Sequence, residues 1–181
     1  MEKSRASHPI ISRAWAMPNS RTFQIQPIQN LIEKYAKGVV VDPFANASPY
    51  GTITNDLDPS MPTTYHLEAT DFLKSLPDES ADCVLYDPPY SPRQVSECYK
   101  RFHLSVDMKT TQASYWSNQK KEIARILKPG GICITFGWNS GGIGQKYGLD
   151  IIEILMVAHG GWHNDTICTV EKKQFMEAND E

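Results

Sequence analysis

The apolar run at residues 82–86 is cut off almost at once by two adjacent prolines, Pro88 and Pro89. Proline lacks an amide hydrogen and has a fixed φ, so a buried strand that meets two of them has to leave its sheet there. Asp87 before the pair and Tyr90 after it then project from a rigid turn. Similar short runs occur at 39–41, ending at Asp42, and at 132–136. Between them lie helical patterns. At 27–37, Ile28, Leu31, Ile32 and Tyr35 share one face, Pro27 suits the first turn and Gly38 the stop. A second helix is expected at 114–128, closed by Pro129-Gly130-Gly131. Short strands are expected at 51–55 and 66–68, and a helical turn at 71–76 closed by Pro77. The runs 151–158 and 166–170 have only a turn between them and should pair as an antiparallel hairpin. This alternation predicts an α/β domain in which about five parallel strands precede the hairpin.

A chain of 181 residues fits one domain with its own core. A flexible arm is expected over residues 1–11, a catalytic domain over 12–171 and a frayed tail over 172–181. No apolar run approaches the roughly 20 residues of a membrane span. The first residues lack the apolar segment of a secretory signal. Cys83, Cys98, Cys133 and Cys168 form no CxxC pair, which excludes a zinc ribbon or thioredoxin-type site. Lone thiols within apolar runs suit a reducing, cytoplasmic setting.

The net charge of -3 is unevenly spread. Residues 1–26 carry +3 through Lys3, Arg5, Arg13 and Arg21 against Glu2. Residues 92–113, expected to be a loop, carry +2 through Arg93, Lys100, Arg101 and Lys109 against Glu97 and Asp107. Two basic segments on an acidic body suit a phosphate-binding surface, with solvated loops as the plain alternative.

The tetrapeptide Asp87-Pro88-Pro89-Tyr90 resembles the signature of the DPPY-type amino methyltransferases. The resemblance extends over roughly residues 12–171. It implies a Rossmann-like class I methyltransferase fold: one mostly parallel twisted sheet with a C-terminal antiparallel hairpin and helices on both faces. It further implies S-adenosylmethionine as cofactor and methyl transfer to the N6 amine of adenine in DNA, with the base swung into the DPPY pocket. Cytosine N4, an RNA adenine, and a degenerate cofactor-binding subunit of a larger complex remain alternatives. The family's catalytic positions fall on Asp87, Pro88, Pro89 and Tyr90: the carboxylate and the Pro88 carbonyl accept from the amine, and Tyr90 stacks on the base.

The cofactor positions implied by the resemblance are Thr22, Asp42, Phe44, Asn46, Asp56, Asp71 and Phe72, with Asp58 an alternative to Asp56 on the ribose. The family's DPFxGxG loop reads here as Asp42-Pro43-Phe44-Ala45-Asn46-Ala47-Ser48, so Asn46 and Ser48 replace two glycines. Asparagine tolerates the left-handed conformation; serine limits close approach. Trp138-Asn139 and the turn at 159–165 are expected near the target base, His159 and His163 are not expected to bind a metal, and 141–144 reads as a flexible exit from a strand. Arg93, Lys100, Arg101 and Lys109 are the candidate nucleic-acid contacts. A large recognition domain is not expected within these 181 residues. That suits a small solitary enzyme of the kind found in phages and mobile elements, alone, as a homodimer or with a partner subunit.

Overall fold

The computed structural model describes residues 8–102 and 113–175. Its strands are β1 (Ile10–Trp15), β2 (Val40–Asp42), β3 (Ile53–Thr54), β4 (Ala81–Tyr86), β5 (Leu127–Gly137), β6 (Leu149–Ala158) and β7 (Thr166–Lys173). Its helices are α1 (Gln26–Tyr35), α2 (Ala69–Ser75), α3 (Pro92–Arg101) and α4 (Ala113–Ile126). The strands form one sheet in the order β1-β6-β7-β5-β4-β2-β3. Only β7 runs against the rest, antiparallel to both β5 and β6. No helix among the described residues is long and apolar enough to cross a membrane.

The strand periodicity divides the core into two layers. Cys83, Leu85, Ile134, Phe136, Cys168 and Val170 pack on α1 through Ile28, Leu31 and Ile32. Their alternates Val84, Tyr86 and Cys133 pack on α2 and α4 through Phe72, Leu73, Ile123 and Ile126. Helices thus cover both faces, and the hairpin of β6 and β7 forms as expected. Entry into β2 is fixed by Gly38, whose φ of +69 suits glycine. A Cβ there would lie 2.4 Å from Asp82 Oδ2, the carboxylate oxygen that accepts from the Val39 amide at 2.8 Å.

The chain passes from β2 to β3 on one side, then crosses to β4 on the other side of β2. The strand order therefore reverses between β2 and β4. In open α/β sheets a crevice opens at the carboxyl ends of such strands. Asp42 closes β2, and Asp87 follows the last residue of β4.

Several expectations need correction. The arm expected over residues 1–11 is already strand from Ile10, because β1 pairs in parallel with β6 at the sheet edge. The tail expected from residue 172 is strand to Lys173, held by β6. At 66–68 no strand forms; a single bridge joins Asn55 to Tyr65. Glu68 then caps α2 by accepting from the amides of Thr70 and Asp71, which ends any extended run. The basic loop is helical through Arg101: Ser91 caps it, Pro92 opens it, and Val95 and Tyr99 bury one face. Arg5 and Lys109 lie outside the described residues.

Phe72 is fully buried and packs against Tyr65 at 5.3 Å between ring centres. Phe72→Ala is expected to lower unfolding free energy by about 3–5 kcal/mol in urea titration.

Candidate active site

The loop that leaves β2 is braced from behind. Asn55 is buried and donates to the carbonyls of Pro43 at 3.1 Å and Leu67 at 3.0 Å. The Ala45 amide donates to the Asn55 carbonyl at 2.9 Å. Asn46 takes a φ of 49, the left-handed conformation expected of it, and its amide donates to Asp56 Oδ2 at 2.9 Å. In front of this loop lies a cavity of about 480 Å³. Its wall includes Thr22, Phe44, Asn46, Asp56 and Asp87, which come together from four separate parts of the chain.

Asp42 stands behind that wall with no exposure to solvent. Its Oδ1 accepts from the Phe44 amide at 3.1 Å. Its Oδ2 is buried and has no hydrogen-bond partner among the described residues. Burial pushes this carboxyl up to about 8; the Phe44 bond opposes the shift, while the charges of Asp87 and Asp56 add to it.

A second cavity, of about 300 Å³, lies on the other side of the tetrapeptide. Pro88, Pro89 and Tyr90 line it, with Trp116, Lys120 and Trp138. The turn is held on three sides. Trp116 Nε1 donates to the Pro89 carbonyl at 3.0 Å, and the Tyr90 amide donates to Gln94 Oε1 at 2.6 Å. The Tyr90 ring sits 5.3 Å from that of Trp138, tilted by 57°. The Tyr90 hydroxyl donates to Asp87 Oδ1. Burial raises the Asp87 carboxyl above the usual carboxylate range, while the Tyr90 and Thr22 hydroxyls pull it back.

Other expected site residues lie elsewhere. Asp71 is exposed on α2 beside Lys74 at 4.0 Å, and Phe72 is core, so neither lines the first cavity. The reason is the helix phase set by the Glu68 cap. Asp56 lies on the cavity wall and Asp58 does not; Asp58 instead holds Ser60 and faces Arg101 at 3.9 Å. Arg21, read with Arg13 as a phosphate contact, also lines the first cavity, as do Phe23 and Tyr50. Arg93 pairs with Glu97 at 2.8 Å, and Lys100 is exposed on the same helix. His159 is buried, with its ring nitrogens 2.9 Å from the Ala16 carbonyl and 2.9 Å from the Thr166 hydroxyl. The 141–144 segment is anchored, since Glu171 accepts from the amides of Ile143 at 2.6 Å and Gly144 at 2.8 Å.

Sequence reasoning missed Tyr50, Trp116 and Lys120 as wall residues. Tyr50 sits in a loop with no pattern, and the other two occupy ordinary positions on α4.

No family model matches the chain, and no curated protein matches it. Solved structures do. TrmN from Thermus thermophilus is 17% identical, matches 84% of this chain and 50% of its own, and has a TM-score of 0.54. The N-methyltransferase NodS from Bradyrhizobium japonicum WM9 is 12% identical over 86% of this chain and 99% of its own, with a TM-score of 0.51. A third is the 1,6-didemethyltoxoflavin-N1-methyltransferase of Burkholderia thailandensis, with 1,6-didemethyltoxoflavin and S-adenosylhomocysteine bound. It is 10% identical over 75% of this chain and 71% of its own, with a TM-score of 0.50. The fold is that of the class I methyltransferases. At these identities the likeness concerns the fold, and the chain spans half the length of TrmN.

The buried Asp42 carboxyl has a consequence for stability. Its folded value, about 8, lies above its ordinary 3.8. Between these values the unfolded chain has lost the proton that the folded chain keeps, so stability falls as pH rises through this window. The melting temperature is expected to fall between pH 5 and pH 8, and Asp42→Asn to flatten that fall, both read by calorimetry.

Proposed function

We propose that this protein transfers a methyl group from S-adenosylmethionine to the N6 amine of adenine in DNA. The observation that carries this reading is the place of the tetrapeptide: Asp87 lines one cavity, and Pro88, Pro89 and Tyr90 line the other. A boundary of this kind suits a reaction in which donor and acceptor enter from opposite sides and meet at Asp87, between the two cavities.

The first cavity suits the cofactor in size and chemistry. At about 480 Å³ it matches the usual range for such ligands. Phe23, Phe44 and Tyr50 offer flat apolar surface, Asp56 accepts from a pair of hydroxyls, and Arg21 and Thr22 suit a carboxylate. The unpartnered Asp42 Oδ2 is a buried acceptor next to the same wall. When bound, the cofactor supplies a methyl group on an electrophilic sulfonium.

The protein's own part is to position the acceptor. An aryl amine is a weak nucleophile because its lone pair is spread into the ring. The Asp87 carboxylate and the Pro88 carbonyl accept one hydrogen bond each from its two N–H groups. This draws the nitrogen towards tetrahedral geometry and localises the lone pair. Tyr90 and Trp138 offer ring faces to a base in the second cavity. Orientation of two reactants in this way accounts for much of a rate acceleration. The role needs an ionised Asp87, so activity rises with pH through its raised value.

Asp87→Ala is expected to abolish methyl transfer while leaving S-adenosylmethionine affinity within a few-fold of the parent, read by calorimetry and by mapping modified bases in DNA. Wild-type turnover in this variant would end the mechanism, and N4-methylcytosine in the map would change the base.

We place the phosphate contacts on the exposed side of α3, which begins just after Tyr90 and carries Arg93, Lys100 and Arg101. Removing one cation from a phosphate lowers the salt dependence of binding by about one unit of slope. Reversal of Lys100 and Arg101 to glutamate is expected to weaken DNA binding and flatten that slope, with cofactor affinity unchanged.

A further inference from the structure

The four tryptophans of the chain gather at the carboxyl edge of the sheet. Trp116 braces the Pro89 carbonyl. The other three flank the turn between β6 and β7. Trp138 follows Gly137, the residue that pairs with Ile167, so it leaves the sheet level with Thr166 at the foot of the turn. Trp15 ends β1 opposite Ala158, at the other foot. Its indole lies beside the turn, 3.5 Å from where a Cβ on Gly160 would stand. Trp162 occupies the tip. Gly160 and Gly161 both take left-handed φ values, of 69 and 60, and Trp162 beyond them is fully exposed.

In strand order the edge therefore presents Tyr90 after β4, Trp138 after β5, Trp162 between β7 and β6, and Trp15 on β1. Four inter-strand steps of about 4.8 Å make a span of roughly 19 Å. All three indoles beyond Tyr90 are exposed, Trp138 at 46%, Trp162 fully and Trp15 at 65%. Single exposed aromatics need no explanation, but a row that starts at the second cavity does. Arg13 lies on the same face of β1 as Trp15, two residues away, and is exposed. The carboxylate of Asp165, in the turn, faces the His159 amide at 3.4 Å.

We infer that this row stacks successive unpaired bases next to the target, so that the substrate is a single-stranded nucleic acid. The inference rests on the methyl-transfer reading and narrows its substrate. In a duplex the ring faces of neighbouring bases are hidden in their own stack. In an unpaired strand they are open, and every base offers a π-face to an indole whatever its identity. Arg13 supplies positive charge for the strand's phosphates. The shared chemistry is an unpaired polyanion with aromatic bases, and deoxyribose and ribose strands both have it.

The test uses the full chain with a short oligonucleotide that carries one adenine, alone and annealed to its complement, in DNA and RNA forms. Binding is read by quenching of tryptophan fluorescence, and methyl transfer by KM and kcat. The parent is expected to prefer the single strand and to be quenched by it. Trp162→Ala and Trp15→Ala should each raise KM on the single strand roughly ten-fold, with kcat at saturation unchanged. Trp162→Phe should restore most of the affinity, which a merely structural role would not require. The preferred sugar distinguishes DNA from RNA, and the row stands with either. Quenching without methylation would overturn the proposed activity and leave the row in place. Methylation with unchanged KM in both alanine variants, or a preference for duplex, would overturn the row and leave the activity. Unchanged oligonucleotide binding in those variants together with self-association of the parent would assign the patch to a protein contact and overturn the inference.

Discussion

The parallel pairing of β2 with β4 is the contact from which the site is built. Val40 and Val41 lie beside Cys83 and Val84, and this register brings the ends of the two strands to one level. Asp42 and Asp87, far apart in sequence, then stand close enough that the charge of Asp87 raises the Asp42 carboxyl. The next step is the double proline. It stops β4 from continuing and turns the chain so that Asp87 faces one cavity and Tyr90 the other. Trp116 and Gln94, from two different helices, clamp the turn that results.

Burial of acids at this level is costly, and the protein accommodates it unevenly. Asp42 keeps one hydrogen bond and one orphaned oxygen, so the proton is the partner that it retains near neutral pH. Asp87 has hydroxyl donors that moderate its shift. Glu171, also buried, is given two backbone amides from 143–144 and closes a glycine-rich turn over the sheet. Among the described residues Asp42 is thus the buried carboxyl with an unpartnered oxygen, and it lies beside the first cavity. Strongly perturbed acids in a cleft are characteristic of functional sites.

Helix α3 shows how one short signal reorganises a surface. Ser91 and Pro92 start it, and Val95 and Tyr99 pack with Tyr115 to dock it near the site. The basic residues then share an ordered face directly after the tetrapeptide, where a loop would have dispersed them. The edge strand β1 extends the same end of the sheet in the other direction and sets Trp15 beside the hairpin turn.

Features that rest on local chemistry were legible in the chain before any fold was known. Proline chemistry ends β4, helical periodicity makes α1, and the short turn forces β6 and β7 into a hairpin. Asparagine's tolerance of positive φ lets Asn46 stand where a glycine is usual. Which side chains share a cavity is a matter of the assembled fold. Asp56 rather than Asp58 reaches the wall, because the Asn55 brace fixes that loop. Asp71 turns to solvent, because the Glu68 cap sets the phase of α2. Strand β1 exists because β6 offers it a free edge, a partner that no local pattern in residues 10–15 reveals. Local signals act between neighbours in sequence, whereas a cavity wall is assembled from residues whose adjacency depends on strand order and register.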